Sequence, residues 1–119
     1  MKPPNKKILI CDDDEGTRDS LKLILWDFYD IIIVDNAQAC LEVLKNNSPN
    51  IGLVLMGIDM GVDAETQIKN NFPKTPVMMV AGYSAVKSSG KTKQLDASNS
   101  ISKPFKSEEI LEKIRKHWK

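Results

Sequence analysis

Three consecutive carboxylates, Asp12, Asp13 and Asp14, stand directly behind the apolar run Ile8-Leu9-Ile10-Cys11. Like charges packed this closely destabilise one another unless a cation or a strong donor offsets the repulsion. Oxygen donors of this kind suit a hard divalent cation such as Mg²⁺. The same residues also fit a plainer role, a solvated acidic loop or a helix N-cap. The apolar run reads as a strand buried on both faces, and Glu15-Gly16-Thr17 opens an amphipathic stretch behind the carboxylates. The trio therefore lies between a strand's C-terminal end and a helix, the edge of an open parallel sheet where ligands bind.

The elements that must position these groups follow from hydrophobic periodicity. A strand is predicted over Lys7–Cys11 and a helix over residues 15–27, with Leu21, Ile24, Leu25 and Phe28 as one stripe. Residues 31–34, all β-branched, give a second strand. Asn36 suits the N-cap of a second helix, with Ala37, Cys40, Leu41 and Leu44 facing inward, and the polar cluster at 46–50 stops it. A third strand is expected over 51–56, followed by a shorter helix over 63–71 with Ile68 and Phe72 inward. A fourth strand spans 77–80. Residues 85–94 make the weakest helix, because Gly90 and two serines interrupt it. A polar fifth strand over 98–102 is anchored by Ile101. Ser107 then caps a last helix striped by Ile110, Leu111, Ile114 and Trp118.

Strand and helix alternate five times with short loops, which implies an α/β fold: a parallel sheet with helices on both faces. The smallest such architecture is flavodoxin-like, a three-layer (βα)₅ sandwich with strand order 2-1-3-4-5. In that order strands one and three are neighbours. Their C-terminal ends then share one crevice with Ala81, ending strand four, and Lys103, ending strand five.

Length and composition bound the reading further. A chain of 119 residues suits a single domain over 1–119, with 1–6 as a short lead-in. It is 41% hydrophobic and 28% charged, ordinary for a globular protein, and its net charge of +1 gives no global field favouring nucleic acid or membrane. No apolar run has the length of a membrane span. Residues 1–7 include lysines but no signal-length apolar stretch with a cleavage site, which argues against a secretory signal. Cys11 and Cys40 fall in core-facing patterns and read as reduced cysteines of a cytoplasmic protein. His117, the sole histidine, reads as a cation at a helix end, and Lys87, Lys91 and Lys93 as a solvated basic face.

Four stretches together resemble the signatures of response-regulator receiver domains. They are Ile8-Leu9-Ile10-Cys11-Asp12-Asp13-Asp14, Leu53-Val54-Leu55-Met56, Val80-Ala81-Gly82-Tyr83-Ser84 and Lys103-Pro104-Phe105. The resemblance covers nearly the whole chain and implies phosphorelay signalling by protein–protein contact, without enzymatic turnover. In that family an acidic pair after strand one holds Mg²⁺, and an Asp ending strand three accepts a phosphoryl group from a histidine kinase. A Thr or Ser after strand four and a Lys after strand five bind the phosphoryl oxygens, and an aromatic residue in strand five reports the state. Asp12 and Asp13 match the metal pair and Lys103 the lysine. The acceptor position holds Gly57, the hydroxyl position Ala81, and the aromatic position Ser100. The family residue matching Asp59 gives its backbone carbonyl to the metal. The implied partners are a histidine kinase, a phosphotransfer protein, another regulator or a second copy of the chain; no nucleic acid or membrane contact is implied.

Glycine supplies no nucleophile for an aspartyl phosphate, so the chain looks like a receiver degenerate at its acceptor. One alternative is phosphorylation at Asp59, which would share a face with residue 57 if the strand continued, ~6.6 Å further along. Another is a haloacid-dehalogenase-like, Mg²⁺-dependent phosphatase using Asp12, because residues 12–17 faintly resemble its Asp-x-Asp-Gly-Thr loop. That match needs an inserted residue and a second pair of aspartates toward the C-terminal end, which the chain lacks. A third is a metal-independent interaction module with a vestigial pocket.

Overall fold

A computed structural model describes residues 6–60, 62–81, 100–102 and 105–118, without the side chains of residues 59 and 62. Its elements run β1 (Lys7–Cys11), α1 (Glu15–Leu25), β2 (Asp30–Val34), α2 (Ala37–Asn47), β3 (Ile51–Gly57), α3 (Val62–Asn71), β4 (Val77–Ala81), β5 (Ser100–Ser102) and α4 (Ser107–His117). The strands form one sheet in the order β2-β1-β3-β4-β5, every neighbouring pair parallel. This is the flavodoxin-like architecture the alternation predicts. The expected helix over 85–94 lies outside the described residues, as do positions 98 and 99.

The sheet's two faces account for its apolar sequence. Successive side chains of a strand point to opposite sides. Ile8, Ile10, Leu53 and Leu55 therefore meet Leu21 and Leu25 of α1 and Ile110 and Ile114 of α4. Leu9, Cys11, Val54 and Met56 meet Cys40 and Leu44 of α2 and Ala64 and Ile68 of α3. β3 has neighbours on both edges and helices on both faces, so each of its residues is buried. Cys11 and Cys40 are free and buried, as expected. The neighbouring Cys40 thiol, together with burial, pushes the Cys11 thiol far up. Its Sγ lies 3.5 Å from the Asn36 carbonyl oxygen that accepts from it.

Two helix boundaries differ from expectation. α1 stops at Leu25, because the amides of Phe28 and Tyr29 both donate to the Leu25 carbonyl and turn the chain. Phe28, expected to face inward, is half exposed, and Tyr29 packs on the core instead. Ser107 is the first residue of α4 and not its cap. The cap is Lys106, whose side chain makes no capping bond, and Glu108 and Glu109 complement the helix dipole.

Trp118 closes the open end of the α1–α4 face. Its ring packs against Tyr29 at 4.9 Å between centroids, the planes tilted by 42°, and covers Gly52, where an added Cβ would lie 2.6 Å from the indole. Gly52→Ala should therefore expel the ring, shift its fluorescence to longer wavelength and lower stability by about 1–3 kcal/mol, the usual cost of overpacking. Unchanged emission would show that Trp118 does not rest on Gly52.

Candidate functional site

The site is built at the C-terminal edge of three adjacent strands. Cys11 pairs with Met56 and Gly57 with Val80, so the residue after β1, the last of β3 and the end of β4 come together there. The carboxylate trio divides its roles. Asp12 turns inward and is 7% exposed, whereas Asp13 faces solvent. Asp12 Oδ1 accepts from the Asp14 amide at 2.8 Å, and the Asp12 carbonyl accepts from Arg18 Nη1 at 2.9 Å. Asp14 caps α1, its Oδ2 accepting from the Thr17 amide at 2.8 Å and from Thr17 Oγ1 at 2.7 Å. The plainer reading of the trio thus holds for Asp14, while Asp12 is drawn into the crevice.

Gly57 explains how Asp12 can turn in. A Cβ built on Gly57 would lie 2.5 Å from Asp12 Oδ2 and 2.9 Å from its Cγ. The glycine is needed for this close approach: any side chain at position 57 would occupy the space the Asp12 carboxylate now fills.

The other predicted positions are placed as follows. Ala81 is fully buried and pairs with Ser102. Ser100 lies two residues further back on β5, and its carbonyl accepts from Lys113 Nζ at 3.0 Å. Lys103 lies outside the described residues. Asp59 falls in a short 3₁₀ turn, Ile58–Met60, because β3 ends at Gly57. The extended register that would have aligned Asp59 with residue 57 does not occur. His117 Nδ1 donates to the Lys113 carbonyl at 2.9 Å within the last turn of α4, consistent with a helix-end role. Arg18 was missed in the sequence. Its signal is its spacing, one helical turn beyond the Asp14 cap, which brings the guanidinium back over the loop.

Among the described residues no group of three or more His, Cys, Asp or Glu stands ready to hold a metal. The carboxylate donors are Asp12 and Asp13, and Asp12 is already engaged by the Asp14 amide. This set fits a divalent cation only in part. Among the described residues no helix is long and apolar enough to cross a membrane.

Comparison with known proteins gives this edge its context. The family model of the response regulator receiver domain matches residues 8–115. The response regulator protein FleR of Pseudomonas aeruginosa is 28% identical over 116 residues, covering 93% of this chain and 24% of its own length. The chemotaxis protein CheY of Halobacterium salinarum is 25% identical over 112 residues, covering 92% of this chain and 93% of its own length. The crystal structure of a CheY-like receiver domain protein from Methanospirillum hungatei superposes with a TM-score of 0.73 at 29% identity, covering 93% of this chain and 91% of that one. The chain spans 24% of FleR and 49% of the MprA response regulators of Mycobacterium that it also matches. A match over nearly all of the folded elements, joined to the strand order and the acidic edge, makes the chain a member of the response regulator receiver domain family, a module of two-component signalling and not a classical enzyme.

Proposed function

We propose that the chain is a pseudo-receiver, which signals by protein–protein contact and carries no aspartyl phosphate. The observation behind this reading is the contact between Asp12 and Gly57. The resemblance puts the acceptor carboxylate at position 57; the chain has glycine there, and Asp12 fills the room. Aspartyl phosphate formation needs a carboxylate nucleophile beside a cation. Ala81 has no hydroxyl for a phosphoryl oxygen, and Ser100 has no ring to change rotamer. The partner would be a histidine kinase, a phosphotransfer protein, another regulator or a second copy, and the two buried thiols suit a reducing cytoplasm.

Receiver domains typically bind Mg²⁺. Here Asp12, Asp13 and the Asp59 carbonyl are the donors that remain, and two carboxylates attract a cation less strongly than three. Calorimetric titration should give weak, millimolar Mg²⁺ binding that Asp13→Asn abolishes. Fluoroberyllate, a phosphoryl analogue, should add no further heat. A tight complex with Mg²⁺ and fluoroberyllate would show that another carboxylate serves as acceptor and would overturn the reading.

A further inference from the structure

A groove of about 540 Å³ lies at the opposite edge of the sheet from Asp12, within the size range of small-molecule sites. Ile51, the first residue of β3, lines it, and Gly57 is the last residue of that strand. At about 3.3 Å per residue the two sites are roughly 20 Å apart. The remaining lining combines three chemistries. Lys6 and Lys74 bring positive charge, Ser48 and Thr75 bring hydroxyls, and Phe72 brings a half-buried ring.

The charge here is local. The chain as a whole carries only +1, yet both charged residues lining the groove are lysines. Among the described residues neither ammonium is paired with a carboxylate. The segment presenting Phe72 is held in place: its amide donates to the Ile68 carbonyl at 2.8 Å, and the Thr75 amide donates to the Phe72 carbonyl at 3.0 Å. Two cations beside hydroxyls and an aromatic wall complement a ligand that is anionic at one end and flat and apolar at the other.

We propose that this groove binds a small aryl anion, a carboxylate or phosphate on a single aromatic ring. Phe72 packs against the ring, and Lys6 and Lys74 hold the anionic group. The site is separate from the acidic edge and stands whether or not the chain accepts phosphate.

The test is amide NMR titration of the full chain with phenyl phosphate and with benzoate. Benzyl alcohol serves as the neutral control and inorganic phosphate as the control without a ring. Phenyl phosphate or benzoate should give saturable shifts centred on Ile51 and the turn at 71–75, and the tighter of the two identifies the head group. Lys6→Glu with Lys74→Glu should weaken that binding at least tenfold and leave amides at the other edge unmoved. Phe72→Leu, which keeps the apolar packing, should weaken the aryl anions and leave inorganic phosphate unchanged. Benzyl alcohol binding as tightly as benzoate would remove the role of charge and overturn the proposal. So would inorganic phosphate matching phenyl phosphate, which would mean an adventitious ion only. An acidic, aromatic peptide binding tenfold more tightly than either aryl anion, with shifts extending beyond the groove, would replace the small ligand with a protein partner.

Discussion

Gly57→Asp should lower stability in chelator and recover most of the loss when Mg²⁺ is added. The new Cβ would fall 2.5 Å from Asp12 Oδ2, so the Asp12 carboxylate must swing away. Swinging away breaks its hydrogen bond from the Asp14 amide, worth about 1 kcal/mol. Crowding and the repulsion of a third carboxylate bring the loss to about 2–3 kcal/mol. A cation neutralises that repulsion and binds only the folded chain, which adds about 2.7 kcal/mol at a hundredfold excess over its Kd. Denaturant unfolding of the variant should therefore respond strongly to Mg²⁺, and wild type hardly at all. Equal stability of the variant in chelator and in Mg²⁺ would mean that position 57 does not face the acidic pair.

Leu55→Ala should be strongly damaging, at about 3 kcal/mol within the 2–5 kcal/mol range for buried leucines. Leu55 is fully buried in the cluster that joins β1 and β3 to α1 and α4. The strand has neighbours on both edges, so the cavity has little freedom to collapse. Since small domains hold only about 5–15 kcal/mol in total, the urea midpoint should fall steeply at constant slope. Leu23, by contrast, is 81% exposed, and Leu23→Ala should leave the midpoint nearly unchanged. A loss below about 1 kcal/mol at Leu55 would be inconsistent with the packing described.

What could be read from the sequence was what burial writes into it. β1, β3 and β4 appear as apolar runs because helices cover both faces of the sheet. Asn36 could be read as a cap because its side chain accepts from the Ala39 amide, a purely local bond. Phe28 misled because it continues the period of α1 although the chain has already turned at Leu25. Ser107 misled because it is a strong capping type one residue inside the helix. At the candidate site, the residue types were legible and their directions were not. A run of three aspartates does not say which one turns inward; that depends on Gly57, far along the chain. The same limit hid the groove, because Lys6, Ser48 and Phe72 are brought together only by the fold.

The most direct test of the pseudo-receiver reading is intact-mass spectrometry of the wild-type chain after incubation with acetyl phosphate and Mg²⁺. Gly57→Asp with Ala81→Ser is the comparator, serine being small enough for the fully buried position 81. The wild-type chain should gain no base-labile phosphoryl mass, and the double variant should gain one. A phosphoryl group on wild type, mapped to Asp59 or to any other carboxylate at this edge, would contradict the reading.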